Sequence, residues 1–411
     1  MGIVSDAARK RISPLISSAL MIWGAAVAQA AFVVPGYELV YSYPVETSLE
    51  EPDLRQATDV WPEMFDRAQK SIDINEFYVA PSSGEPLEAT LSALDRAGRR
   101  GVNIRVILEE EFKRNSIEGI ARLKTIPNLE LRMIEWSRVQ GSGIVHAKYF
   151  IVDSTRAFVG SQNFDWRSLK HIHEMGLAID DGPVVRQVQA VFDHDWEIAG
   201  ATVPAVPDNV ERPLPDRARR AYLVASPWRF DPPGVGDSES ELARLIGEAE
   251  GEIAVQIFKY EPLTFSLPQR FYPVIDNALR GAAVRGVKIK LLVSHWSIKG
   301  PALRHLQSLA ALPNVKVRVI TIPDANEGRI LFARVAHSKY MVVDGRTLWL
   351  GTSNWMGGYL DDSRNLEVVV KDEALAARAA LVHKHLWDSS YTLPLGSPKP
   401  MPRSAVEGKR R

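Results

Sequence analysis

The chain of 411 residues contains no cysteine, which removes disulfide frameworks, thiolate metal sites and thiol nucleophiles from consideration. It also lacks an excess of either charge, with 50 Lys and Arg against 50 Asp and Glu. A protein that wraps long duplexes would be basic overall, so extensive backbone tracking is disfavoured and a short end-binding groove is not. Uncharged apolar sequence long enough to matter occurs only at the start. There Arg9-Lys10-Arg11 precede a run rich in Leu, Ile, Ala and Ser that reaches Ala28-Gln29-Ala30, a small-x-small cleavage site. Residues 1–30 are therefore read as a signal peptide, leaving an exported protein that starts at Ala31 and is periplasmic or secreted. The rival is an uncleaved N-terminal membrane anchor, since no charge appears until Glu38; Pro14 and Pro35-Gly36 shorten the helix it would need. Removing residues 1–30 takes three cations and one anion from a neutral chain, leaving −2. The lack of cysteine suits a bacterial periplasm or exterior better than a lysosome.

What is present is a repeat. His146-x-Lys148-x4-Asp153 is followed by Gly160-Ser161-x-Asn163, and His337-x-Lys339-x4-Asp344 by Gly351-x-Ser353-Asn354. Every member but the Ser keeps one register, so the pattern predicts a site built from two halves. Around each motif, alternating β-branched and aromatic residues read as a strand, from Val145 to Val152 in the first, which puts His and Lys on one face. The Asp turns the chain into a second strand, and the turn after it can return the Asn amide to the same surface.

Two imidazoles, two ammoniums and two amides suit a phosphodiester. Lys148, Lys339, Asn163 and Asn354 would donate to the non-bridging oxygens, one neutral His would attack phosphorus, and the other, protonated, would supply the leaving oxygen. Neither cofactor nor metal is called for. A carboxylate behind the nucleophile would fix its tautomer; Glu174 and Glu367, on the strand after each motif, are the candidates. Asp153 and Asp344 either join the site or hold the turn, with Ser161 and Ser353 as further support. His171-x-His173 and His383-x-His385 have no third ligand nearby and read as surface or supporting groups.

These motifs resemble those of the phospholipase D superfamily. Asn163 to Leu169, Arg270 to Asp276, Arg285 to Lys288, Ser308 to Leu312, Ala333 to Val335 and Gly351 to Trp355 bring the chain nearer to the lysosomal phospholipase D-like subgroup, over about residues 35 to 392. Some of that subgroup are 5′ exonucleases on single-stranded nucleic acid. The resemblance implies a phosphohistidine intermediate, with His146 as nucleophile and His337 as acid. It also implies a single-stranded nucleic acid substrate, with phospholipid (a phospholipase D or phosphatidyl transferase activity) as the alternative. A binding-only pseudoenzyme is a second alternative, which the intact motifs argue against.

The repeat extends beyond the motifs. Ser71 to Tyr78 matches Glu252 to Tyr260, Arg100 to Leu108 matches Arg285 to Val293, and Ile126 to Arg132 matches Leu312 to Arg318. Helical patterns at Val60 to Gln69, Glu88 to Arg99, Tyr272 to Ala283 and Pro301 to Ala310 separate these strands, so each half reads as an α/β sandwich. The expected order is a first phospholipase D-like domain (31–202), a Pro-rich linker (203–215), a second domain (216–395) and a disordered tail (396–411). A pseudo-twofold axis would relate the domains, making a monomer with no obligate protein partner complete.

Overall fold

The computed structural model describes residues 31–201, 211–265 and 267–397. The export segment, linker residues 203–210 and the tail beyond 397 lie outside this description. The first half runs β1 (Tyr37–Ser42), α1 (Ala57–Arg67), β2 (Ser71–Glu76), α2 (Leu87–Arg99), β3 (Asn103–Glu109), α3 (Ile117–Leu123), β4 (Leu129–Ile134), β5 (Lys148–Val152), β6 (Arg156–Gly160), β7 (Glu174–Ile179) and α4 (Gly182–Gly200). The second repeats it with β8 (Ala221–Ser226), α5 (Ser238–Glu248), β9 (Glu252–Ile257), α6 (Val274–Val284), β10 (Lys288–Ser294), α7 (Pro301–Ala310), β11 (Val315–Ile320), β12 (Lys339–Val343), β13 (Thr347–Gly351), β14 (Asn365–Lys371), α8 (Glu373–Asp388) and an extra edge strand, β15 (Thr392–Pro394).

Both sheets share one order, β1-β7-β6-β5-β2-β3-β4 and β8-β14-β13-β12-β9-β10-β11. The crossovers through α2 and α3 make β2, β3 and β4 parallel, while the motif hairpin adds antiparallel strands beside β2. The crossover helices end on the repeated Arg-Gly-Val. Gly101 and Gly286 take left-handed φ of +90° and +99°, which stops α2 and α6 without a Cβ penalty. The preceding Arg turns back: Arg100 Nη2 donates to Phe65 O and Ala68 O, and Arg285 Nη2 to Ile246 O and Ala249 O.

Strand alternation divides the core. In β5, Phe150 and Val152 pack under α1 and α2 with Trp61, Leu91 and Leu94, whereas Tyr149 and Ile151 face the other way. In β12, Met341 and Val343 pack under α5 and α6, and Tyr340 and Val342 join the same central cluster as Tyr149. That cluster takes in α4 through Val188 and Phe192 and α8 through Leu375 and Leu386. The two α/β halves thus lie back to back on one common core, the pseudo-twofold arrangement expected of the repeat. Trp196 and Trp387 close matching ends, each under an Arg guanidinium, Arg132 at 4.0 Å and Arg318 at 4.9 Å. Among the described residues no helix is long and apolar enough to cross a membrane.

Candidate active site

The motif aspartates stand at the far end of their strands from the histidines. Asp153 accepts hydrogen bonds from the backbone N–H of Gln69, Lys70 and Ser71, at 2.9, 2.6 and 2.9 Å. Asp344 does the same for Glu250, Gly251 and Glu252, at 3.0, 2.7 and 2.9 Å. Each is also the first left-handed residue of its hairpin turn, at φ +52°, with the N–H of Thr155 or Arg346 closing on Val152 O or Val343 O at 3.0 Å. A strand rises about 3.3 Å per residue, so these carboxylates are remote from the chemistry and clamp the hairpin to the start of β2 or β9.

At the other end the halves meet. Strand β5 begins at Lys148 rather than Val145, because Val145 bridges to Arg364 of the second half, and His146 N donates to Arg364 O at 2.9 Å. The mirror contact is His337 N to His173 O at 2.8 Å. Each motif histidine is therefore seated by the other half and takes its Nδ1 partner from it. His337 Nδ1 lies 2.9 Å from a Glu174 oxygen, and Glu174 also accepts from Ser161 Oγ and Ser168 Oγ at 2.5 and 2.8 Å. His146 Nδ1 lies 2.9 Å from Asn365 Oδ1. That amide is oriented by Thr352 Oγ1, which donates to Oδ1 at 2.8 Å, and by Nδ2 donating to Tyr359 O at 2.8 Å.

Two expectations change here. Glu367 does not back a motif histidine: its carboxylate accepts from Ser353 N at 3.1 Å and from Ser238 Oγ, and the place equivalent to Glu174 belongs to Asn365. Ser353 is held against Glu367, and the hydroxyl equivalent to Ser161 is that of Thr352. The physical reason is register. Glu174 follows His146 by 28 residues, as Asn365 follows His337, and Glu367 sits two further along β14, on the same face but roughly 6.6 Å on. It pairs with Gly351 across the sheet, where a Cβ on the glycine would come 2.2 Å from Leu366 O.

The clamp is almost sealed, with His146 4% and His337 9% exposed. Lys148 and Lys339 are buried beside them, each ammonium donating to the carbonyl of its own motif histidine and lying 5.1 or 5.3 Å from the ring of Phe77 or Phe258. Asn163 and Asn354 are buried too, and among the described residues neither side-chain oxygen meets a donor. Burial, helped by the two ammoniums, holds both imidazoles well below their ordinary range. Burial also pushes Lys148 down to about 7, against the pull of Glu76 and Glu174. Glu174 is pushed up to about 7 by burial, with Lys339 and the two serines pulling back. Rings line the histidines: Phe77 and Tyr359 at 5.3 and 4.8 Å from His146, and Phe258 at 4.6 Å from His337.

Asn365, Thr352, Glu76 and Phe258 were not among the expected site residues, although counting 28 past His337 reaches the first and the matched opening strands contain the last. Glu76, opposite Lys148 in the ladder, is buried with one oxygen unpartnered. Of four aromatics that follow or flank the motif segments, Tyr359 reaches the site, Trp355 packs on Trp349, Trp166 meets His171 edge-on, and Phe271 stacks on His305. His173 Nδ1 lies 2.8 Å from Ser338 Oγ, His383 Nε2 3.1 Å from Val255 O and His385 Nδ1 2.7 Å from Glu51.

The family model described as "Cardiolipin synthase, PLD-like domain" matches residues 62–196 and again 242–387, one copy per half. Phospholipase D Z of Dictyostelium discoideum is 30% identical over 368 residues, covering 82% of this chain and 86% of its own. The 5′-3′ exonuclease PLD3 of Homo sapiens is 30% identical over 383 residues, covering 84% and 76%. In fold, the phosphatidylserine synthase of Haemophilus influenzae Rd KW20 superposes with a TM-score of 0.58 at 12% identity, over 82% of this chain and 85% of that one. With both motifs assembled across the halves and one family copy in each, the chain belongs to the phospholipase D superfamily and is a phosphodiesterase.

Proposed function

We propose that the protein removes nucleotides from the 5′ end of single-stranded nucleic acid through a phosphohistidine intermediate. The observation that carries this is the near-sealed phosphate clamp walled by Phe77, Tyr359 and Phe258. Such an opening suits a slender chain end, and flat rings beside a phosphate suit bases. Likeness to a 5′-3′ exonuclease supports the same reading.

The partners of the two imidazoles give each a role. Asn365 Oδ1 accepts the Nδ1 proton of His146, leaving Nε2 with a lone pair and no carboxylate to favour the imidazolium, which suits a nucleophile. Glu174 beside His337 favours a proton there relative to His146, which suits the acid. His146 Nε2 forms the bond to phosphorus as the P–O5′ bond breaks, and the leaving O5′ takes a proton from His337 Nε2. Water then attacks, His337 removes its proton, and the P–N bond breaks to free His146. Lys148, Lys339, Asn163 and Asn354 hold the non-bridging oxygens where charge builds. Both motifs lie in one chain, so a monomer acts without a protein partner, and export directed by residues 1–30 places it outside the cytoplasm.

The test is turnover on end-labelled 5′-hydroxyl single-stranded DNA against choline release from phosphatidylcholine, in chelator, at mildly acidic and neutral pH. Stepwise loss from the 5′ end is expected. Choline release with intact oligonucleotides moves the reading to phospholipase D, the activity named for the Dictyostelium relative.

A further inference from the structure

The rings around the two histidines are matched in their first two layers and differ in the third. Phe77 and Phe258 occupy equivalent places, one residue beyond β2 and β9. Each carries a further ring, Phe112 at 4.0 Å from Phe77 and Trp296 at 5.4 Å from Phe258, and the second half continues outward with Phe332 at 6.3 Å from Trp296. Phe332 stands five residues before His337, where the first half has Gly141. The His337 side therefore carries a ring the internal symmetry does not require, and it ends on the surface: Phe332 is 60% and Leu331 55% exposed.

This ridge is built rather than loose. Phe332 and Arg334 take left-handed φ of +61° and +58°, a region bulky side chains avoid unless surrounding contacts impose it. Arg334 Nε donates to Pro323 O at 2.6 Å, its Nη1 to Val45 O at 2.7 Å and its N–H to His171 O at 3.0 Å. Arg167 Nη1, from the first half, donates to Leu331 O at 3.1 Å, with its guanidinium 6.0 Å from the Phe332 ring. Lys299 Nζ lies 5.7 Å from the Trp296 ring. Rings interleaved with cations suit stacked bases and their phosphates better than a lipid interior.

We infer that Phe332 and Trp296 form the subsite of the leaving strand, stacking the bases on the 3′ side of the cut. The inference rests on the reading above, in which His337 protonates the leaving O5′ and the rest of the chain departs past it. Phe332 touches no reacting atom, so its contribution depends on how many nucleotides the leaving group carries.

The experiment compares wild type, Phe332→Ala and Phe332→Trp on 5′-hydroxyl thymidine oligonucleotides of two and of twelve nucleotides, and on bis(4-nitrophenyl) phosphate. The expected result is that the kcat/KM preference for the longer oligonucleotide over the shorter falls roughly tenfold in Phe332→Ala, as loss of one base stack implies, and returns in Phe332→Trp. A preference unchanged in Phe332→Ala, in an enzyme that cleaves both oligonucleotides, overturns the subsite alone. So does an equal loss on all three substrates, which marks a structural role. So does a loss of sedimentation with phosphatidylcholine vesicles at unchanged preference, which gives the ridge to lipid. Wild type that cleaves bis(4-nitrophenyl) phosphate and no oligonucleotide sinks the nucleic-acid reading itself, and the subsite with it.

Discussion

Asn365 and Glu174 stand at equivalent places behind the two histidines, and amide against carboxylate is what makes the imidazoles unlike. Because a carboxylate stabilises the imidazolium, adding or removing one moves the histidine's pKa in a known direction. Asn365→Asp raises that of His146, which must be neutral to attack, so the acid limb of kcat/KM should move up by about one pH unit, equivalent to about 1.4 kcal/mol. Glu174→Gln lowers that of His337, which must be protonated, so the alkaline limb should move to lower pH. Burial holds both imidazoles below their ordinary range, so wild-type activity should fall as pH rises above mildly acidic values. Profiles on bis(4-nitrophenyl) phosphate check all three, and coincident profiles would remove the assignment of roles. The motif residues were legible because they repeat in strict register. Asn365 was not, because a carboxylate was sought behind each imidazole and Glu367 was the nearest on that strand.

At the scale of elements, each motif aspartate is the bolt of a hairpin. Asp153, like Asp344, accepts three backbone N–H groups, and a hydrogen bond to a charged group contributes roughly 1.5–3 kcal/mol net. Asp153→Ala should cost about 2–4 kcal/mol in urea unfolding while turnover of the folded fraction stays near that of wild type. A loss of turnover without a loss of stability would return Asp153 to the chemistry. The hydrophobic pattern placed α1, α2, α6 and α7 within a few residues of where they lie, since each buries one apolar stripe, and did not mark the short α3. The start of β5 was misplaced because Val145 and His146 pair with the other half, and no local periodicity reports a partner 219 residues away.

At the scale of the molecule, the halves are joined by one core and by a buried ion cluster. Arg364 is fully buried, with Asp195 of α4 at 2.7 Å and Asp231 at 2.8 Å. Its carbonyl seats His146. Removing one partner of such a cluster strands the others, so Arg364→Ala should destabilise by about 3–5 kcal/mol and abolish activity with it, measured by urea unfolding and turnover. Each half expressed alone would expose its face of the central cluster, from Leu39, Tyr149 and Leu177 or from Leu223, Tyr340 and Val368, and should be insoluble; a soluble, folded half would contradict the common core. N-terminal sequencing of the native protein should find Ala31 first, and an intact Met1 or Gly2 in the membrane fraction would favour an anchor instead.

The sequence alone determined the matched central strands and the four helices read among them, the doubling, and the His, Lys and Asn inventory, because these depend on local periodicity and on a register that repeats. Which group faces each imidazole was decided only by the tertiary structure. Every Nδ1 partner comes from the opposite half, so the difference between the histidines arises where the sheets meet. Tertiary structure likewise took the aspartates out of the site, by setting them a strand's length away. It also pinned Phe332 on the rim through Arg167 and Arg334, whose contacts reach across the chain.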